Sequence, residues 1–269
     1  MDPTLHDLLG WAPPLPTHSF FVALGLAAAG IVFLVEARRR RQTDPRLAYL
    51  VLGALAGAAI LSRLGTWAQH LNPAENLNLL QQLTTGHASV LSAMVGAWLG
   101  VHVAKRLVRY PLRSGDLFAP AFALAMAIGR FGCFFTENPG TPTGADWGIV
   151  LTPEQAARVG AAAGVPLHPS FLYEIAFQLA AFAVLWFWLR RRPIAAGELL
   201  TLYILGYALF RFGVEFVRGN EVVWLGLTRP QLFLLVTIPL LAARIALKAR
   251  RGQLIVRPAK EVVHESTAT

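Results

Sequence analysis

Residues 21–41 read FVALGLAAAGIVFLVEARRRR: an apolar run from Phe21 to Val35, and soon after it four consecutive arginines, Arg38 to Arg41. A helix on the surface of a soluble protein carries a polar stripe at the helical repeat, and this run has none. At about 1.5 Å per residue, a span near 20–38 is long enough to cross roughly 30 Å of hydrocarbon. LFLLVTIPLLAARIAL, Leu232 to Leu247, reads the same way. The whole chain follows suit, with 269 residues, 55% of them apolar and 14% charged, which is the composition of a polytopic helical membrane protein. The pattern predicts an all-α integral membrane protein of seven transmembrane helices, with spans near 20–38, 47–67, 86–104, 117–135, 170–189, 198–217 and 229–247. One membrane domain covers residues 1–269 in this reading, with an external loop at 136–169 and a tail at 248–269.

A net charge of +9 could signal a nucleic-acid partner, so the placement of the basic residues decides. Of the 24, 18 fall in alternate connections: Arg38 to Arg41 with Arg46, Lys105 to Arg113, Arg190 to Arg192, and the stretch from Arg244 to Lys260. Basic residues concentrate in cytoplasmic connections, so the N-terminus is expected outside and the C-terminus in the cytoplasm. The charge is thus read as topology, with no nucleic acid implied. The N-terminal residues lack a basic leader, and the first span, longer than a signal-peptide core and followed by arginines, is expected to be a retained helix. A single cysteine excludes an internal disulfide, and the seven scattered histidines show no zinc spacing; no metal and no cofactor are expected.

Ionisable groups inside a span are costly in lipid unless they face a bundle interior or a wet cavity, so they mark a candidate site. Arg130 and Arg211 each lie 13 residues beyond the cytoplasmic start of an outward-running span, Leu117 and Glu198, or about 20 Å in. Inward-running spans bring polar residues to the same outer half. One opens with Gly86, His87 and Ser89, the other with HPSFLYE, His168 to Glu174. There Ser170 is expected to cap the helix and Glu174 to sit in its first turn, favoured by the helix dipole. The cluster reads as an anionic-ligand site opening toward the outer leaflet. Arg211 and Glu215, spaced i,i+4, also fit a purely structural ion pair, and Arg218 is expected at the outer interface, where an arginine snorkels at little cost. Cys133, beside Phe134 and Phe135, reads as a small packing residue.

Three motifs in order, Gly129-Arg130-x-Gly132, His168-Pro169-Ser170-x-Leu172-Tyr173-Glu174, and Tyr207-x-x-x-Arg211-Phe212-x-x-Glu215-Phe216-x-Arg218, resemble the bacterial prolipoprotein diacylglyceryl transferase family. The likeness extends to Leu227-Thr228-Arg229-Pro230-Gln231-Leu232 at the entry to the last span. It implies an inner-membrane transferase that moves the diacylglyceryl group of phosphatidylglycerol to the lipobox cysteine thiol of a prolipoprotein signal peptide, releasing glycerol phosphate. It also implies catalytic roles for Arg130, Arg211, His87, Tyr207 and Glu215, and lipid or substrate binding by His168, Ser170, Tyr173, Glu174, Arg218, Cys133 and Glu137. Where the family continues Gly-Asn-Phe-x-Asn-Gly-Glu, this chain has Gly132-Cys133-Phe134-Phe135-Thr136-Glu137-Asn138, so Glu137 keeps the acidic group with a one-residue shift. Aligned on Gly96, the family's histidine falls at Leu91, and His87, one turn earlier, stands in as the candidate base. Two alternatives stay open: a relative that transfers a phospholipid-derived group to another acceptor, and a noncatalytic binder of lipid or signal peptide.

Overall fold

The computed structural model describes residues 4–67, 78–85 and 88–256. Among these, the chain is built on ten α-helices: α1 Leu5–Leu9, α2 Thr17–Arg39, α3 Leu47–Trp67, α4 Leu79–Thr85, α5 Val90–Leu107, α6 Gly115–Thr136, α7 Pro153–Val159, α8 Ser170–Ala183, α9 Glu198–Val214 and α10 Arg229–Arg250. Among the described residues, six stretches are long and apolar enough to cross a membrane: Thr17–Arg39, Leu47–Trp67, Gly115–Thr136, Ser170–Arg191, Glu198–Val217 and Arg229–Arg250. Each lies within a few residues of a span expected from composition alone. The remaining expected span, 86–104, corresponds to α5, which starts later, at Val90, behind the Ser89 cap, and carries Lys105 and Arg106 in its last turn.

The only strands among the described residues form two short antiparallel ribbons. β1 (Ile149–Val150) pairs with β2 (Pro166–Leu167), and β3 (Val222–Trp224) pairs with β4 (Leu227–Thr228). The β1–β2 ribbon and α7 give the expected external loop a small core of its own, Leu151, Ala156 and Leu167.

The helices fall into two compact units. One comprises Leu34–Arg113 with Asn220–Phe233; the other holds Ser114–Gly219 with the chain before Leu34 and from Leu234 onward. In the first, α3 and α5 cross antiparallel, with Gly53 and Gly57 facing Gly100 and Gly96. A methyl group on Gly57 or Gly96 would run into the opposing carbonyl of the other, so the backbones touch. Such small-residue crossings suit lipid, where helices associate by van der Waals contact rather than by escaping water. Beyond the end of α5, Arg46 donates to the carbonyls of Val108 (3.4 Å) and Arg109 (3.2 Å) while pairing with Asp44 at 2.7 Å. Its hydrogen bonds hold the Asp44 carboxyl below the usual carboxylate range.

In the second unit, α6 packs on α8 and α9 through Ala119, Ala123, Leu199 and Tyr203, with Leu185 from the turn after α8. The alanines of α6 leave room for large neighbours, and this close packing brings the polar residues of three helices together. Asp116 of α6 accepts from the Leu199 amide (3.1 Å), satisfying one orphan donor at the start of α9. Glu198 takes Arg244 (2.7 Å) and Lys248 from α10. Past α8, Arg190 lies over the Trp186 ring (3.9 Å) and Arg192 over Trp188 (5.1 Å), the cation and aromatic combination that suits a membrane interface.

Candidate functional site

Glu174, in the second turn of α8, has a fully buried carboxylate, and the rest of the site is assembled around it. Arg130 from α6 brings Nη2 to 2.8 Å of Oε1, and the Tyr207 hydroxyl from α9 donates to the same oxygen at 2.6 Å. On the other side, Arg218 Nη1 lies 3.2 Å and Arg211 Nη1 3.8 Å from Oε2. Arg211 also pairs with Glu215, one turn on, at 2.7 Å. The Phe171 ring, three residues before Glu174, supports the guanidinium groups of Arg218 (4.4 Å) and Arg130 (5.9 Å). One turn deeper, the Tyr203 hydroxyl donates to Gln178 (2.8 Å), extending the polar ladder along the α8–α9 seam.

Three guanidinium groups against two carboxylates leave one formal positive charge in excess in a buried site. Moreover, Nε of Arg130, Nη1 of Arg211 and Nε of Arg218 are buried with no hydrogen-bond partner among the described residues. Buried donors without acceptors are costly, more so when charged. An oxyanion entering the cluster would supply the missing acceptors and cancel the excess charge, and guanidinium groups match phosphate oxygens in geometry.

The family model for prolipoprotein diacylglyceryl transferase matches residues 10–248. The chain belongs to this family. A relative from Bordetella bronchiseptica, named phosphatidylglycerol–prolipoprotein diacylglyceryl transferase, is 33% identical over 185 residues, 67% of this chain and 66% of that one. A relative of the same name from Synechococcus elongatus is 30% identical over 223 residues, 78% of this chain and 75% of its own. One from Trichormus variabilis, also so named, is 31% identical over 197 residues, 69% and 68% of the two chains. The match thus spans about two thirds to three quarters of the length of these curated relatives. Together with the six apolar helices, the family makes this a multi-pass membrane protein.

Of the residues singled out in the sequence of this transferase relative, Arg130, Arg211, Tyr207, Glu215 and Glu174 come together as described. Arg218 joins them, which corrects the expectation of an interfacial, snorkelling side chain: only 10% of it is exposed, because Glu174 gives it a buried partner. Glu174 is not in the first turn of its helix as expected. It lies one turn on, where its partners are the arginines rather than the helix dipole. Ser170 does not cap α8 either; Pro169 occupies that position, and the Ser170 hydroxyl instead donates to the Pro139 carbonyl, tying the end of the loop to the helix. His168 and Tyr173 bond to each other (3.2 Å), with His168 edge-on to Trp147 (5.3 Å). Cys133 is buried, and its sulfur accepts from Arg130 Nη1 at 3.4 Å. Glu137 sits at the C-terminal cap of α6. His87 lies outside the described residues, while Leu91, the position aligned with the family's histidine, lines an apolar cavity of about 490 Å³ with Leu61, Val95 and Phe233.

Sequence reasoning missed Phe171, Gln178 and Tyr203, which carry no sign in the sequence that they face a charge cluster. It also missed His18, the second residue of α2, whose Nε2 lies 4.0 Å from Glu137. The signal for His18 was present in the sequence: a histidine at the start of an apolar run.

Proposed function

We propose that the protein transfers the diacylglyceryl group of phosphatidylglycerol to the lipobox cysteine thiol of a prolipoprotein, with glycerol phosphate as the leaving group. The observation that carries this reading is the buried arginine cluster, with its surplus positive charge and three unmatched donors. In the transfer, sulfur forms a bond to the terminal glyceryl carbon as the bond from that carbon to the phosphate oxygen breaks, so negative charge grows on the leaving phosphate. Preorganised cations at that position stabilise the transition state more than the ground state, which is what lowers a barrier. Arg130 and Arg211 are assigned that role. Glu174, held by Tyr207, sets the guanidinium groups in place without using all their donors, and Glu215 does the same for Arg211.

The topology belongs to the same proposal. α5 is taken as the seventh span, with the N-terminus outside, the C-terminal tail in the cytoplasm and the site in the outer half of a bacterial inner membrane. There it meets both phosphatidylglycerol and a signal peptide emerging with its lipobox cysteine. His168, Tyr173 and Ser170 organise the external loop above the site, and Cys133 and Glu137 line its approach.

The test is reconstitution of the full chain in phosphatidylglycerol vesicles with a lipobox peptide, reading glycerol phosphate release and the mass of the peptide. Wild type should yield both products, while Arg130→Ala and Arg211→Ala should insert normally and yield neither. Lipid binding by wild type without any release, with every thiol peptide tried, would leave the noncatalytic binder as the function.

A further inference from the structure

The proposed transfer makes a demand that arginines cannot meet. The acceptor thiol must lose its proton, because the thiolate is the nucleophile. Among the described residues, a half-exposed imidazole, His18, stands beside the cluster. The start of α2 is pressed against α6 at Gly132, where an added methyl group would come within 2.9 Å of the His18 backbone. Gly132 lies between Arg130 and Cys133, so this close approach delivers the His18 imidazole to the edge of the arginine site. The ring Nε2 lies 4.0 Å from Glu137 Oε1, and ligand atoms of His18, Cys133 and Glu137 all fall within 4.8 Å of one another. Cys133 in turn accepts from Arg130 (3.4 Å), so a single side chain stands between the imidazole and the anion site. The side chains of His18 and Glu137 are 48% and 45% exposed, whereas those of Arg130 and Arg211 are 7% and 8% exposed. An incoming peptide can therefore reach the base while the cations stay buried.

We propose that His18 is the catalytic base for the acceptor thiol and that Glu137 is its positioning partner; this rests on the transferase reading above. The thiol proton passes to His18 Nε2. The sulfur electron pair forms the bond to the glyceryl carbon, and the electrons of the broken carbon–oxygen bond remain on the phosphate. The imidazolium, charge-paired with Glu137, returns its proton to the released phosphate or to water. Arg130 contributes twice, once to the phosphate and once by holding Cys133 at the floor between the two halves of the site. The assignment also accounts for Glu137 standing one residue away from the family's acidic position, since from there it faces His18.

The experiment uses the full chain in phosphatidylglycerol vesicles with a lipobox peptide, comparing wild type, His18→Gln, His18→Ala and Glu137→Gln for phosphatidylglycerol binding, kcat and KM. His18→Gln should lower kcat about 100-fold or more while lipid binding is unchanged. Added imidazole should restore part of the activity of His18→Ala. Raising the pH toward the thiol's own range, about 8.5, should narrow the gap to wild type, because the acceptor then ionises without help. Glu137→Gln should lower kcat less than His18→Gln. Wild-type turnover in His18→Gln would overturn the proposal alone, as would loss of lipid binding together with activity. Turnover lost to a chelator and restored by Zn²⁺ would also overturn it, assigning the trio to a metal. No product from wild type would overturn both this proposal and the transferase reading.

Discussion

Glu174 occupies the place that charge balance reserves for an anion between Arg130, Arg211 and Arg218, so its loss is expected to act differently from loss of any one arginine. Glu174→Ala leaves three buried guanidinium groups facing only Glu215. Removing one partner of a buried ion pair costs about 3–5 kcal/mol, so this variant should unfold at clearly lower temperature in detergent micelles. Addition of an anionic phospholipid should restore part of that stability if the cluster binds phosphate. Tyr207→Phe removes a single donor to the same carboxylate and should cost about 1.5–3 kcal/mol, with lipid binding kept. For the arginines the informative change is to lysine. Arg130→Lys and Arg211→Lys keep the charge yet should recover little glycerol phosphate release, because a point charge does not reproduce a planar, two-pronged donor. Arg158→Ala, in the exposed α7 of the loop, should match wild type in the same assay.

At the scale of elements, the α3–α5 crossing rests on the absence of side chains. Gly57→Val forces a branched side chain into the Gly96 backbone and should destabilise the protein by about 1–3 kcal/mol in a thermal melt. Gly30→Ala in α2, where an added methyl group meets nothing, is the matched control and should leave the melting temperature unchanged or slightly raised. Equal effects of the two changes would mean that the crossing contributes no more than helix propensity. The apolar runs themselves are legible in the sequence, because a stretch of about twenty apolar residues is a local property. The shape of the 136–169 connection is not. Its ribbon pairs Ile149 with Leu167, residues far apart in sequence, and only chain closure around α7 brings them together.

At the scale of the whole molecule, the distribution of basic residues makes topology a testable matter. Reporters fused after residue 40, 110, 191 or 255 are expected to read cytoplasm, and those near 75, 150 or 222 the outside. A cytoplasmic reading at 150 would invert the depth assigned to Arg130 and Arg211 and separate the site from the outer leaflet.

The sequence by itself determined that the chain is a multi-pass membrane protein of apolar helices, and which charges stand out within them. Arg130 and Arg211 were legible because a cation in an apolar span is anomalous wherever its helix points. Only the tertiary structure decided which groups meet: that Glu174 sits between the arginines, that Arg218 turns inward, and that His18 reaches Glu137 across the α2–α6 contact. The reason is physical. In water, the contrast between polar and apolar faces reveals which side of a helix turns inward. In lipid most faces are apolar, so rotation about the helix axis is set by packing between helices, and no single helix carries that information.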